Sequence, residues 1–249
     1  MAPMSRLVYR FYRLMWSSLD WLYPPNCGGC GKPGRRWCSD CQQSIEIITP
    51  PFCSKCGQTQ EDIGLCVRCR NTAQHYTALR SWAVFRDGLR KAIHRLKYSR
   101  DMSLGEILSR PLIHCLETYA WHIDIVIPVP LGLARLAERG YNQSALLARP
   151  LALGAELAYY PQALRRIRET QSQVGLSMEE RRLNVEGAFQ ANKSLAEGHN
   201  ILIIDDVATS GATIDACAVA LLNAGANEVY GLTLARAVRH PVGVEEFIQ

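Results

Sequence analysis

The chain has 249 residues, of which 48% are apolar and 20% are charged, a balance that is ordinary for a globular protein and excludes wholesale disorder. No apolar run reaches the roughly 20 residues that a membrane-spanning helix needs. The net charge of +5 is unevenly divided, because residues 1–100 hold 16 Lys and Arg against 6 Asp and Glu, whereas residues 101–249 hold 12 against 17. The basic front half predicts attraction to polyanions, with a solvated basic surface as the alternative.

The first segment, MAPMSRLVYRFYRLMWSSLDWLYPP, predicts an amphipathic helix over residues 1–23. Its apolar residues are interrupted by Arg6, Arg10 and Arg13. It lacks the continuous apolar stretch and the small-residue cleavage site that mark a secretory signal. The sequence therefore predicts a cytoplasmic protein without a membrane span.

Eight of the ten cysteines fall into four C-x-x-C pairs. Each pair places two thiolates on one tight turn, and two pairs supply the four ligands of a tetrahedral zinc ion. Sequential pairing gives two sites, one from Cys27, Cys30, Cys38 and Cys41 and the other from Cys53, Cys56, Cys66 and Cys69. The alternatives are a crossed pairing of the same units and four disulfides in a secreted scaffold.

Residues 24–72 are thus predicted to form a double zinc ribbon. Its short loops leave too little apolar surface for a core, so zinc would supply most of its folding free energy. A site with four thiolates and no open position is structural rather than catalytic. The two remaining cysteines, Cys115 and Cys217, lie in apolar helical patterns and are predicted to be small buried hydrophobic residues.

Residues 73–249 are predicted to form a second domain in which strands alternate with helices. Strands are predicted at residues 79–85, 123–130, 200–207 and 228–238. Helices are predicted at residues 88–99, 103–121, 141–157 and 213–226, with an extended segment at 162–170 and a short helix plus an edge segment at 177–189. Strands separated by helices of this length imply right-handed crossovers and a mostly parallel sheet. Ligands of such sheets bind at the carboxyl ends of the strands.

The segment ILIIDDVATSGAT, residues 201–213, brings two adjacent carboxylates, Asp205 and Asp206, to the end of a predicted buried strand. The next loop opens a helix, so the backbone N–H groups of residues 208–213 and the helix dipole converge on one anion-sized position. Gly211 lets the backbone approach a phosphate, and carboxylates accept hydrogen bonds from ribose hydroxyls. The pattern favours a sugar phosphate, with an ordinary strand, turn and helix as the alternative. It matches neither a Walker A loop nor a dinucleotide fingerprint.

LIIDDVATSGAT resembles the signature with which type I phosphoribosyltransferases bind phosphoribosyl pyrophosphate (PRPP). With cysteine ribbons in front of it, the chain from about residue 20 to residue 238 resembles the ComF/GntX family. Three further segments carry this resemblance, namely IHRLKYSRD, IPVPLGLARLAERGYNQSALLA and RETQSQVGLSMEERRLNVEGAF. The resemblance implies an α/β type I phosphoribosyltransferase fold, a mostly parallel sheet flanked by helices, behind the double zinc ribbon.

The resemblance also implies roles for individual residues. Asp205 and Asp206 would be the catalytic pair and would hold the ribose 2′ and 3′ hydroxyls. The 5′-phosphate would lie in the loop of Ala208, Thr209, Ser210, Gly211, Ala212 and Thr213. Mg²⁺ would be held mainly by PRPP oxygens and water. The pyrophosphate would bind around Val129. Further phosphate or acceptor contacts would come from Arg135, Arg139, Asn142 and Gln143, for which a solvated helix face is the alternative.

A lid is implied by the segment that resembles the family's hood region. A closed lid would exclude water from a reactive pyrophosphate ester. Its residues would be Thr170, Gln171, Gln173, Arg181, Arg182 and Asn184. A polar surface loop is the alternative for all six.

Two functions of different classes follow. The first is a PRPP-binding accessory of DNA uptake in natural transformation, which binds single-stranded DNA and contacts a protein of the uptake machinery. The second is an active phosphoribosyltransferase with a nucleobase or amine acceptor, for which the sequence shows no acceptor site. Single-stranded DNA would be contacted by basic residues displayed beside the cysteine turns, Lys55, Arg68 and Arg70. Lys97 and Arg100 would lie near the mouth of the PRPP site.

Overall fold

The structure, a computed structural model, describes residues 2–170 and 177–237. Within this part of the chain, the helices before the first strand are α1 (Ala2–Leu22), α2 (Ser39–Gln43) and α3 (Val67–Asn71). Both short helices begin directly after a cysteine, so the pairs Cys38/Cys41 and Cys66/Cys69 each lie at a helix start. None of the described helices is both long and apolar enough to cross a bilayer.

The strands of the described chain are β1 (Ala78–Val84), β2 (Ile125–Pro128), β3 (Ala158–Tyr159), β4 (Leu164–Arg166), β5 (Phe189–Ala191), β6 (Asn200–Ala208) and β7 (Glu228–Arg236). Five of them form one sheet in the order β1, β7, β6, β2, β3, and every neighbouring pair is parallel. Strands β4 and β5 pair antiparallel as a separate sheet. The predicted parallel α/β architecture is confirmed, and β6 is the central strand.

The helices of this domain, within the described residues, are α4 (Asp87–Tyr98), α5 (Leu104–Tyr119), α6 (Leu133–Arg139), α7 (Gln143–Gly154), α8 (Met178–Val185), α9 (Lys193–Ala196) and α10 (Ala212–Asn223). Leu89, Ile93 and Leu96, whose spacing predicts one face of α4, are all buried. Helix α6 was not predicted, because it buries none of its residues and so carries no apolar periodicity.

Two apolar cores cover the two faces of the sheet. Along β6, Leu202 and Ile204 face the core formed with α4, α5 and α7. Ile201 and Ile203 face the opposite core, which includes residues of α10. This alternation is the two-residue period of a strand that is buried on both sides.

Both cysteine-bearing segments pack directly on the α/β domain. In the first, a Cβ added to Gly28 would lie 2.7 Å from the Leu104 side chain. In the second, the Leu79 N–H of β1 donates to the Lys55 carbonyl at 2.8 Å. Gly57 has φ +71°, and a Cβ there would collide with the Leu79 carbonyl oxygen. The domain boundaries at residues 23/24 and 72/73 stay predictions.

Candidate functional site

The cysteines of the four C-x-x-C pairs form two clusters. In each cluster all four Sγ atoms lie within 4.8 Å of one another, and the members are Cys27, Cys30, Cys38 and Cys41 in one and Cys53, Cys56, Cys66 and Cys69 in the other. The sequential pairing is thereby confirmed and the crossed pairing excluded. All ten cysteines are free, and the close Sγ pairs at 3.6 and 3.8 Å are well beyond the S–S bond length of about 2.0 Å.

The surroundings of these thiols fit zinc. The backbone N–H groups of Cys56 and Cys66 donate to Cys53 Sγ at 3.5 and 3.3 Å, and the N–H of Cys38 donates to Cys27 Sγ at 3.4 Å. Burial opposes ionisation of Cys27 and Cys53, but backbone N–H groups outweigh it and lower the pKa of both thiols to about 6. In the absence of metal, burial raises the pKa of Cys41, Cys56 and Cys69. The thiolate is the form that binds metal. The two clusters therefore fit two structural Zn²⁺ ions.

Asp205 and Asp206 lie near the carboxyl end of the central strand β6. Their side chains meet two different helices, α7 and α4, which pack in the same core. Ser144, in the first turn of α7, donates its hydroxyl to Asp205 Oδ1 at 2.8 Å. Lys97, in the last turn of α4, places Nζ 2.6 Å from Asp206 Oδ2. The acidic pair is thus the point on which α4 and α7 converge.

The two carboxylates differ in their electrostatic environment. Burial, and then the negative charge of Asp206, raise the pKa of Asp205 to about 7, although Ser144 and Lys97 act in the opposite direction. Asp206 is 3% exposed, and its ion pair with Lys97 supplies the counter-charge that a buried carboxylate needs. Near neutral pH the pair therefore carries less than its full negative charge.

The loop after β6 has the helix start that the sequence predicts. Helix α10 begins at Ala212, and Gly211 before it has φ +81°, a conformation that favours glycine. A Cβ on Gly211 would lie 3.1 Å from the Leu79 side chain and 3.3 Å from the Tyr76 hydroxyl. The N-terminus of this 12-residue helix presents N–H groups that suit an anion.

The residues after β2 are joined to the acidic pair by a chain of contacts. Asn142 caps α7 and donates its amide to the Val129 carbonyl at 2.9 Å. Arg139 donates to Gln143 Oε1 at 2.9 Å. Gln143 and Ser144 are consecutive residues of α7, so the contact of Ser144 with Asp205 completes the chain. The structure therefore brings together Val129, Arg139, Asn142 and Gln143 on the side of Asp205.

Positive charge gathers beside α6, on which Arg135 lies. Burial, and then the charge of Arg135, lower the pKa of Arg166 in β4, and Arg168 contributes in the same direction. Burial raises the pKa of Cys217 in α10, and the charges of Asp205 and Arg166 act on the same thiol. Arg135 and Arg168 are therefore electrostatic neighbours of Arg166, and Arg166 and Asp205 are both electrostatic neighbours of Cys217.

The lid is described only in part, because Gln171 and Gln173 lie outside the described residues. The Thr170 hydroxyl accepts a hydrogen bond from Arg166. Arg182 pairs with Glu179 at 2.8 Å within α8. None of these contacts reaches the acidic pair, and the role of Thr170, Arg181, Arg182 and Asn184 in a lid stays a prediction.

Three residues make contacts that the sequence did not predict. Lys97, expected near the mouth of the site, lies at the acidic pair, where its Nζ pairs with Asp206. Ser144 was not predicted, since a serine near a helix start usually serves the helix itself. Arg68 was expected to be displayed to DNA, but its Nη1 donates to the Ser210 carbonyl at 2.5 Å and its Nε is buried. Arg68 is enclosed because α3 packs against the loop after β6.

Metal content tests the cysteine clusters. We expect two zinc ions per chain by elemental analysis, because each cluster offers four thiols at bonding range. Cys53→Ser should remove about one ion, since three remaining ligands bind zinc more weakly. The matched control is Cys115→Ser, which removes a cysteine outside both clusters and should retain both ions. A parent protein with one zinc ion would contradict the assignment of one of the clusters.

The raised pKa of Asp205 predicts a pH-dependent stability. The folded chain binds this proton more tightly than the unfolded chain, so the free energy of unfolding falls as pH rises from about 4 towards 7. We expect Asp205→Asn to be more stable than the parent at pH 8, by about 1–3 kcal/mol, and to keep less than half of that gain at pH 5. Urea unfolding at both pH values measures it. An equal gain at both would contradict the assignment, and Asp62→Asn is the exposed control.

Comparison with known proteins gives two family matches and a set of relatives. The double zinc ribbon domain matches residues 18–70, and the phosphoribosyl transferase domain matches residues 103–245. DNA utilization protein YhgH of Escherichia coli O157:H7 is 33% identical over 207 residues, which cover 81% of this chain and 90% of that protein. Competence protein ComFC of Bacillus subtilis strain 168 is 30% identical over 214 residues, covering 83% and 86%.

A third relative, Competence protein F of Haemophilus influenzae, is 28% identical over 208 residues, covering 80% of this chain and 90% of that protein. The two matched domains stand in the order that the cysteine clusters and the parallel sheet show. The chain therefore belongs to the ComF/GntX family, in which a double zinc ribbon precedes a type I phosphoribosyltransferase domain.

Proposed function

We propose that this protein binds PRPP together with Mg²⁺ at the carboxyl end of its parallel sheet. The observation that carries the proposal is the order of elements at the end of β6, where Asp205 and Asp206 are followed within five residues by the turn at Gly211 and then by the start of α10. The carboxylates would accept hydrogen bonds from the ribose hydroxyls. The N–H groups and hydroxyls of residues 208–213 would hold the 5′-phosphate.

The pyrophosphate would lie on the other side of the acidic pair, beside Val129. Arg135 and Arg139 would supply positive charge to it, and Arg166 adds a cation that the sequence did not single out. Mg²⁺ would be held mainly by PRPP oxygens and water, as expected of a cation that keeps its hydration. Bound in this way, it would neutralise part of the pyrophosphate charge.

We also propose a cytoplasmic role in DNA uptake, in which the protein binds single-stranded DNA and contacts a protein of the uptake machinery. Two relatives are named as competence proteins and a third as a DNA utilization protein. The support from this chain's own structure is a groove of about 960 Å³ between the first cysteine cluster and α4. One wall is the backbone of the Gly28–Gly31 turn, and the other carries Arg90, Lys91 and His94.

This groove has the chemistry that an unpaired strand needs. Its cations would contact phosphates, and glycine backbone lets a strand approach closely. Tyr98 follows His94 on the same helix, is 56% exposed and offers a ring on which a base can stack. The Arg139 guanidinium lies 4.8 Å from the centre of the Tyr98 ring, so the far end of this surface meets the proposed pyrophosphate site.

An active phosphoribosyltransferase with a nucleobase or amine acceptor is the alternative function. The same residues would bind PRPP in both cases, so binding alone does not separate the two. Pyrophosphate released from PRPP after a candidate acceptor is added would support the enzyme.

PRPP binding is tested by thermal unfolding. PRPP with Mg²⁺ at about 100 times its Kd should stabilise the protein by about 2.7 kcal/mol and raise its Tm. Asp205→Asn with Asp206→Asn should abolish the rise, because the ribose hydroxyls lose their charged acceptors and each new amide also presents an NH₂ donor. The control is Glu61→Gln with Asp62→Asn, an exposed acidic pair whose removal changes the net charge equally. A rise that persists in the Asp205/Asp206 variant would place the ligand elsewhere.

DNA binding is tested with a labelled single-stranded oligonucleotide between about 50 and 200 mM salt. Arg90→Gln with Lys91→Gln should weaken binding and reduce the salt dependence by about two phosphate contacts. The control, Arg165→Gln with Lys193→Gln, removes the same charge from β4 and α9. Equal weakening in both variants would mean that net charge alone attracts DNA and that the groove is not the site.

A further inference from the structure

We propose that Arg68 of the second zinc ribbon is a positioning residue for the phosphate-binding loop, so that the second zinc cluster and the PRPP site are coupled. The inference rests on the proposed binding of PRPP and adds a means of regulating it. Arg68 would not contact PRPP. It would act through the Ser210 peptide, which belongs to the loop of residues 208–213.

The contact joins two parts of the chain that are 142 positions apart. Arg68 Nη1 donates to the Ser210 carbonyl at 2.5 Å. Its Nε and Nη2 atoms are buried as well, and the Cys56 thiol lies beside the guanidinium, so Arg68 is enclosed between the second cluster and the Ser210 carbonyl. A buried cation of this kind is held in place by its surroundings rather than by solvent.

The surroundings of Arg68 are set by the cysteine cluster. Arg68 lies on the single turn of α3, between the cluster residues Cys66 and Cys69. Four thiolates around one Zn²⁺ carry a net charge of about −2, which favours cations nearby. Two more arginines contact the same ribbon, since Arg236 donates to the Cys56 carbonyl and Arg80 donates to the Ser54 carbonyl at 2.8 Å.

The loop of residues 208–213 and the second ribbon also pack against the same buried side chains. Gly211 lies against Leu79 and Tyr76, close enough that a Cβ would meet both side chains. Leu79 and Tyr76 belong to the same buried cluster as Cys53 and Cys56. A change in the second zinc cluster therefore reaches the loop through van der Waals contacts as well as through Arg68.

The geometry of the peptide unit explains how Arg68 would act on a ligand. In a trans peptide the C=O and the N–H of the next residue point in opposite directions. A Ser210 carbonyl fixed towards Arg68 therefore fixes the Gly211 N–H on the opposite side, where the 5′-phosphate would bind. Without the guanidinium this peptide is free to rotate, and the N–H no longer has a defined direction. The first ribbon packs instead on α4 and α5, through Arg95 and Leu104.

The test compares Arg68→Gln with Arg70→Gln, which removes an exposed cation from the same helix. Hydrogen exchange of residues 208–213 in the ligand-free protein and PRPP affinity by calorimetry are measured on the full chain. We expect Arg68→Gln to speed exchange in this loop at least 10-fold and to lower PRPP affinity about 10- to 100-fold, the effect of losing a hydrogen bond to a charged group. Zinc content should stay at two ions. Arg70→Gln should resemble the parent, and Arg68→Lys should restore part of the affinity.

Unchanged exchange and unchanged affinity in Arg68→Gln would overturn the proposal. If the parent protein binds no PRPP, the proposed function fails, whereas faster exchange in ligand-free Arg68→Gln would still show that Arg68 holds the loop.

Cys66→Ser tests the link to zinc. It should lose one ion and speed exchange in the same loop, and a loop that exchanges as in the parent after that loss would overturn the coupling. If Cys66→Ser does not fold, brief chelation of the parent protein followed by the same exchange measurement decides this point.

Discussion

Two adjacent carboxylates near the end of a strand that is buried on both faces are the constraint on which the site depends. Such charges are costly to bury unless each finds a partner. Asp206 is held against Lys97 from α4, and Asp205 accepts the hydroxyl of Ser144 from α7. Helix α7 begins at this point, because crossovers in a parallel sheet begin at the carboxyl ends of strands, and α4 reaches it with its last turn. The arrangement that neutralises the pair also gathers the ligand-binding loops around it.

The zinc ribbons are part of this arrangement rather than a separate module beside it. The second ribbon packs on β1 and shares an apolar core with the face of the sheet that carries Ile201 and Ile203. The first ribbon packs on α4, the helix that supplies Lys97, and Arg95 of that helix donates to the Cys27 carbonyl at 2.8 Å. Each cluster is thus one layer of packing away from a residue that contacts the loop or the acidic pair.

Because the ribbons pack in this way, the cations of the basic front half are divided between two environments. Some, such as Arg68 and Arg80, are half-buried and bond backbone carbonyls of the loop or of the second ribbon. Others, such as Lys91, line the groove beside the first cluster and remain accessible to a polyanion. Net charge counts both sets equally, and only the second set is available to attract a long anion.

The sequence by itself determined the features that are encoded locally. Four C-x-x-C pairs specify two metal sites because ligand spacing is a property of one turn, and the acidic pair with its glycine loop is complete within 13 residues, 201–213. Apolar periodicity likewise determined β6 and α4, since each buries a continuous face. Helix α6 was not predicted from the sequence, because it buries none of its residues and therefore has no apolar periodicity.

Tertiary structure alone decided which distant residues complete the site. Ser144 lies 61 positions from Asp205, and Arg68 lies 142 positions from Ser210. In the sequence these residues look like a helix-start serine and an exposed cation, because a hydrogen bond between distant segments leaves no periodic pattern. Their roles arise from the order of strands in the sheet and from the docking of the second ribbon on β1. Both are set by the packing of apolar faces. The apolar pattern in the sequence does not show which polar groups that packing brings together.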